Sequence, residues 1–275
     1  YQYDPVAGTW TANTTVTGVD PLDIRSVVVF KSRIWFSEVG TRTAWYLAAG
    51  AISGAATPFY FGSKFRNGGV LKGLFNWTVD GGEGLDDMLV AVSRAGDVVV
   101  YKGEDPSLAS WVQVGVYYIG QIPNSANFGS EQGGVLYLLS VYGLVSMADL
   151  LQGVDANMVQ SGAENTSLTA RIASVVRDRL QATIDLQGWD VSPIPCEGGM
   201  LVSSPTIGAQ SAIQYYFNTA TQGWGFWRGV PMTCFAEFGD SVYFGTSDGR
   251  VMRMDVQLDN VLLTPESDKL NGNPI

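Results

Sequence analysis

The stretch from Ala212 to Asp255, AIQYYFNTATQGWGFWRGVPMTCFAEFGDSVYFGTSDGRVMRMD, leaves the chain little choice of fold. Ile213 to Phe217 is an aromatic, β-prone run, Asn218 to Gly223 has turn composition, and Trp224 to Trp227 returns. Val242 to Gly245 and Val251 to Met254 flank Ser247-Asp248-Gly249. Asp-Gly between apolar runs signals a hairpin, because Gly accepts the positive φ that tight turns need. Met232 to Phe238 supplies another strand, closed by Gly239-Asp240. Five strands in these 44 residues, separated by little but turns, predict a meandering antiparallel sheet.

The same grammar runs through the chain. Tyr1 to Thr11, YQYDPVAGTWT, repeats the order of types in Gln214 to Phe226: aromatics, a polar turn, then Gly and Trp. Ser26 to Phe30 and Ile34 to Glu38 flank Lys31-Ser32-Arg33, and Ala44 to Ala48 reads as the next strand, followed by a small-residue loop over Gly50 to Pro58. A second module runs from Leu74 to Val114, with a hairpin around Arg94-Ala95-Gly96-Asp97. A third holds Gly115 to Ile119, Val135 to Ser140 and Leu144 to Met147, and the fourth resumes at Trp189. One segment breaks the pattern: between Ser167 and Ile184, Leu168, Ile172, Val175, Val176, Leu180 and Ile184 form a helical stripe. Arg171, Arg177 and Arg179 sit mostly off it, as a solvated face or a docking surface for an acidic partner.

Hairpin centres near residues 32, 95, 142, 207 and 240 mark units of roughly 40–50 residues and about four strands, the signature of a β-propeller. A blade cannot bury both faces alone, so neighbours must stack. The expected fold is therefore all-β, a β-propeller of five blades, with six as the alternative count and a pair of β-sandwiches as the alternative architecture. Residues 1–255 form the propeller, with a short helical insertion at about 163–184, and residues 256–275 a polar C-terminal extension. Met232 to Asp255 offers only three strands, so the N-terminal strand is expected to complete that closing blade.

Composition narrows the chemistry. The 275 residues can bury a sizeable core. Sixteen Lys and Arg against 26 Asp and Glu give a net charge of −10, which argues against tight binding of nucleic-acid phosphates. Histidine is absent, which removes Ser-His-Asp and Cys-His nucleophile activation and His-ligated zinc. Cys196 and Cys234 are too far apart for a CxxC clip, and Cys234, among apolar neighbours, reads as a small buried hydrophobe. No apolar run is long enough to span a bilayer, and no signal peptide is visible. The chain begins with Tyr1 inside a strand pattern, as a processed product or part of a longer protein would.

Asp80, Glu83, Asp86 and Asp87 are the candidate metal ligands, without EF-hand spacing; a solvated loop explains them as well. No carboxylate pair is singled out for glycoside hydrolysis. Trp10, Trp35, Trp77, Trp111 and Trp224 fall within or at the ends of strands at similar unit positions, so blade packing is the expected role. No cofactor is called for.

Three runs carry a resemblance. They are MLVAVSRAGDVVVYKGEDPSLASWVQVGVYYIGQIP (Met88 to Pro123), GGVLYLLSVYGLVSM (Gly133 to Met147) and YYFNTATQGWGFWRGVPMTCFAEFGDSVYFGTSDGRVMRMD (Tyr215 to Asp255). The elements G-x-x-x-V-Y-x-G-x-x-P, W-x-x-V-G-x-Y-x-I-G, N-T-x-T-x-x-W and Y-F-G-x-x-D-G-R-V resemble the tail nozzle, or tail tubular protein B, of short-tailed bacteriophages. They keep their order and cover about a third of the chain, which is shorter than a nozzle is expected to be. The resemblance implies a non-enzymatic virion protein of the tail, assembled in the host cytoplasm. It implies a homohexameric ring below the portal and adaptor (head-to-tail connector) protein, touching tail fibre or spike proteins. Viral DNA would pass through its acidic lumen without tight binding. Arg171, Arg177 and Arg179 would then be candidates for contact with a neighbouring ring. A glycan-binding propeller, lectin or receptor-binding, is the alternative, and a glycoside hydrolase a third.

Overall fold

The computed structural model describes residues 2–11, 16–80, 85–152, 168–169, 172–194, 198–206, 212–230, 232–238, 241–246, 248–254 and 273–274. The chain is all-β in character: short antiparallel meanders follow one another, with two α-helices among the described residues. It divides into two compact units, Tyr1–Gly120 and Gln121–Ile275.

The first unit opens with a hairpin of β1 (Gln2–Asp4) and β2 (Thr9–Thr11), whose residues pair with each other from Gln2↔Thr11 to Asp4↔Thr9. Two short strands, β3 (Val16–Thr17) and β7 (Gly54–Ala55), pair in parallel. The first large sheet has the order β4 (Ile24–Phe30), β5 (Arg33–Glu38), β6 (Thr43–Tyr46), β8 (Thr57–Tyr60). The second is β9 (Leu71–Asp80), β10 (Leu85–Ser93), β11 (Asp97–Lys102), β12 (Val112–Tyr118), paired in chain order. Phe30, Trp35, Ala44, Phe61, Leu74, Leu89, Ala91, Val99 and Tyr101 form one core between them. Leu89–Ser93 and Asp97–Tyr101 are buried on both faces, which explains why VVVY is continuously apolar rather than alternating.

The second unit begins with the three-stranded sheet β13 (Gly129–Gln132), β14 (Val135–Ser140), β15 (Gly143–Ser146). Helix α1 (Met147–Leu151) follows directly, its first turn capped by the Ser146 hydroxyl, which accepts from the Asp149 N–H. Helix α2 (Ala173–Thr183) packs Val176 and Leu180 against Trp189, Met200, Val202 and Tyr215. Next comes the meander β16 (Asp190–Ile194), β17 (Gly199–Ser203), β18 (Ile213–Asn218), β19 (Gly223–Arg228). The last is β20 (Met232–Phe238), β21 (Ser241–Thr246), β22 (Val251–Arg253), β23 (Asn273–Pro274).

Within each unit the first strands of successive sheets lie side by side. In the first unit β4 approaches β9. In the second, β13 approaches β16 and β16 approaches β20, and a parallel bridge joins Asn127 to Asp190. Buried Asp190 ties β16 to β20 and to the segment just before β13. Its carboxylate accepts from Ser192 Oγ at 3.0 Å, from Asn127 Nδ2 at 3.5 Å and from the Phe235 backbone N–H, while burial pushes its pKa up.

Several expectations are corrected. The N-terminal strand does not complete the closing sheet: β1 pairs with β2, and the fourth strand comes from Asn273–Pro274 paired to Met252 and Arg253. Local sequence marks both ends as strand edges, but any free ladder of N–H and C=O groups can satisfy either. The loop expected over Gly50 to Pro58 contains β7, and β8 begins at Thr57 as the sheet's fourth strand. The helix begins at Ala173, later than the stripe, and Val175 is exposed. Residues 163–167 and most of 256–275 lie outside the described set, as does Cys196. Cys234 is a free, exposed thiol, not a buried one. A bulge explains it: Met232 pairs with Thr246 and Cys234 with Gly245, leaving Thr233 as an extra residue. Met232 and Phe235 therefore face inward three residues apart, and the period of two is lost between them.

Candidate functional site

The five tryptophans occupy three environments. Trp35 and Trp77 are buried, and Trp111 and Trp224 half-buried. Trp10, with 69% of its surface exposed, lies in β2 of the N-terminal hairpin. Trp35 stacks on Trp111 at 5.7 Å between ring centroids and Trp111 on Tyr101 at 5.2 Å, so these rings join the two sheets of the first unit. Trp224 leans on Phe217 at 5.1 Å, and its indole N–H donates to the Leu168 carbonyl at 3.0 Å.

The acidic stretch is mostly strand. Asp80 ends β9, Asp86 and Asp87 lie in β10, and Glu83 is outside the described residues. The Asp87 carboxylate accepts from Lys31 Nζ at 2.8 Å and Thr78 Oγ1 at 2.9 Å, and these bonds, Lys31 foremost, hold its pKa below the usual carboxylate range. Its carboxylate thus forms a hairpin-to-turn ion pair. Among the described residues no group of three or more His, Cys, Asp or Glu could hold one.

The predicted basic face is also divided. Arg171 is outside the described residues, and Arg177 is half-buried on α2. Arg179 is buried and turned inward: its guanidinium donates to Ser204 Oγ at 3.3 Å and to the Pro205 carbonyl at 2.5 Å. It lies three residues beyond Val176 and beside Leu180, at the edge of the face that packs.

The most unusual chemistry lies in the first unit and involves residues the sequence did not single out. Ile24 pairs with Glu38 and Ser26 with Ser37, so Arg25 is a bulged residue of β4. Leu71 pairs with Ser93 and Gly73 with Val92, so Lys72 is a bulged residue of the adjoining β9. Bulges re-aim a side chain out of the strand's alternation. Arg94 joins them from the β10–β11 turn, whose N–H donates to the Val70 carbonyl at 2.8 Å. That turn is seated on Gly69, where a Cβ would stand 2.8 Å from the Ala95 nitrogen. Lys72 is buried, and its pKa is pushed down to about 7, first by burial and then by the charges of Arg25 and Arg94. The Arg25 pKa is lowered for the same two reasons, burial and Arg94, and its Nε is a buried donor without a hydrogen-bond partner. Asp97, a buried carboxylate on the adjacent β11, is occupied by the Asn67 backbone N–H at 2.6 Å and Nδ2 at 2.7 Å. The one sequence signal was a polar residue set near the start of an apolar run, in I-R-S, L-K-G and M-T-C alike.

An open cavity of about 380 Å³, lined by Lys31, Ser32, Arg33, Ala49, Glu104 and Asp105 among others, lies between the β4–β5 turn and the β11–β12 loop. Its cations are engaged: Lys31 with Asp87, and Arg33 with Asp105, the Leu47 carbonyl and the ring of Tyr46.

No protein-family model matches the chain, and no curated protein matches it. Among solved structures it is similar to a candidate exported protein of Bacteroides fragilis, at 10% identity, with 97% of this chain and 91% of that one covered and a TM-score of 0.29. A likeness at that score decides nothing about fold or activity.

Proposed function

We propose that the chain is a propeller-type structural subunit of a short-tailed bacteriophage tail, a nozzle component that assembles into a ring and acts without catalysis. The observation that carries the reading is where the resembling runs fall. Met88 to Pro123 spans β10 to β12, Gly133 to Met147 spans β14 and β15, and Tyr215 to Asp255 spans β18 to β22. All three are thus strand-and-turn blocks of successive meanders. The side-by-side first strands within each unit support radial packing of those meanders. Ring closure through the N-terminal strand plays no part, since residues 2–4 pair with residues 9–11.

The charge is unevenly shared. Nine Lys and Arg face eleven Asp and Glu in residues 1–120, against seven and fifteen in 121–275. A conduit bordered by the acidic unit would offer few cations for phosphates to hold, and a duplex could slide. Light scattering and particle images of the purified chain test the proposal. Rings of about six copies around a duplex-wide hole are expected; monomers at every concentration would overturn it. The glycan-binding alternative keeps a narrower foothold in exposed Trp10 and in Phe226, whose ring lies under Arg228 at 5.0 Å.

A further inference from the structure

We propose that the cavity between the β4–β5 turn and the β11–β12 loop of the first unit binds a neutral saccharide through its hydroxyls. The site needs neither a ring nor a tail, and it uses neither Trp10 nor Phe226. At about 380 Å³ the cavity falls in the size range of small-ligand sites. Its walls are fixed by bonds of their own. The Arg33 guanidinium donates from Nε to the Glu104 carbonyl at 3.3 Å and from Nη1 to the Leu47 carbonyl at 3.2 Å, and it pairs with the Asp105 carboxylate. Asp105 in turn accepts from the Ser107 N–H at 2.9 Å and the Ser107 hydroxyl at 2.7 Å, and its carbonyl accepts from the Leu108 N–H at 3.0 Å. Across the cavity the Gly50 N–H donates to the Ser32 carbonyl at 2.7 Å. Walls held in this way lower the ordering cost of binding.

The walls leave over hydrogen-bonding groups of both kinds. Lys31 donates to Asp87 at 2.8 Å, and its ammonium keeps further N–H donors. Among the described residues Ser32 and Glu104 are bonded through their backbone carbonyls, which leaves the hydroxyl and the carboxylate to a ligand. The turn points the same way. Lys31 and Ser32 have φ of 46° and 58°, a backbone that Asn-Gly fills at less cost, yet both positions carry side chains that line the cavity. Lys31 and Arg33 face Glu104 and Asp105, so an ionic ligand of either sign would meet a like charge. A sugar meets none. Its vicinal hydroxyls donate to Glu104 while accepting from Lys31 and Ser32. Its C–H face has Ala49 and Leu108 to cover, the latter 58% exposed without a ligand.

The test is nitrogen–proton correlation NMR of the full chain, titrated separately with the methyl glycosides of glucose, galactose, mannose and N-acetylglucosamine. At least one should give saturable shifts centred on the amides of Ser32, Arg33, Glu104 and Leu108. Glu104→Ala should weaken that binding about tenfold, the loss of one charge-assisted hydrogen bond. Ser32→Gly should weaken it about fivefold, the loss of a neutral one, while melting no lower than the parent, so that lost affinity is separated from lost folding. No saturable shift with any of the four glycosides, shifts centred elsewhere, or equal affinity in the parent and both variants would overturn the site. Putrescine saturating the same amides where the glycosides do not would assign Glu104 to an organic cation and overturn the neutral-ligand reading. Rings in particle images without glycoside shifts would defeat this site alone, and glycoside shifts without rings the tail reading alone.

Discussion

Lys31 and Ser32 both have positive φ, 46° and 58°, at the two central positions of the β4–β5 hairpin. That is the backbone of a type I′ turn, which Asn-Gly fills without strain and which other L-residues enter at a cost. Replacing Ser32 by Gly retains the bond from the Gly50 N–H to the residue 32 carbonyl. It is expected to stabilise the chain by about 0.5–1 kcal/mol in denaturant unfolding. Lys72 sets a pH signature. Its folded-state pKa is about 7 against an ordinary 10.5. Between those values the unfolded chain holds a proton that the folded chain has lost, so stability rises as pH climbs from about 7 to 10. Below 7 the lysine is charged in both states and the whole penalty is present. Urea midpoints measured at pH 6 and pH 9 should show this rise in the parent and a smaller one in Lys72→Met.

Helix α2 and the turns show how far an element can be read from its own residues. The apolar spacing located the helix, but the bound face is Val176, Leu180 and Thr183, joined at its edge by Arg179. Thr183 Oγ1 donates to the Arg179 carbonyl at 2.6 Å and accepts from the Trp189 indole at 3.0 Å, a polar seam that hydropathy does not register. Leu180→Ala should cost ~2–5 kcal/mol in unfolding free energy, and Val175→Ala, on the exposed side, within ~0.5 kcal/mol. The likeness of Tyr1–Thr11 to Gln214–Phe226 extends to hydrogen bonding. Asp4 accepts from the Val6 and Ala7 N–H groups as Asn218 does from Ala220 and Thr221. Gly8 at φ 64° matches Gln222 at φ 51°. Asx turns are legible because the side chain bonds its own backbone. Gly96 is different: its φ of 100° suits any turn glycine, but a Cβ there would stand 2.0 Å from the Gly120 carbonyl oxygen. Gly96→Ala should therefore destabilise by roughly 3 kcal/mol or more, read as a fall in melting temperature.

Across the whole molecule, the meanders follow the order in which turn signals punctuate the sequence, and acid accumulates toward the C-terminal half. If the ring proposal holds, six copies at −10 each repel one another, and salt screens that repulsion over a Debye length of about 8–10 Å near 0.1–0.15 M. The oligomer fraction in light scattering should rise from 20 mM to 200 mM NaCl; a fall would point instead to attractive ion pairs at the interface.

Strands, turns, the helix and the all-β class were determined by the chain's own local chemistry, since period, turn residues and φ preferences act within a few positions. Tertiary structure alone decided that residues 2–4 pair with 9–11, that residues 273–274 supply the last strand, and that Arg25 and Lys72 are the extra residues of bulges in β4 and β9. A backbone edge accepts any strand that reaches it, and a bulge shifts a side chain between faces by one unpaired residue. Which edge and which residue follow from sheets packing on one another, over separations that local sequence does not encode.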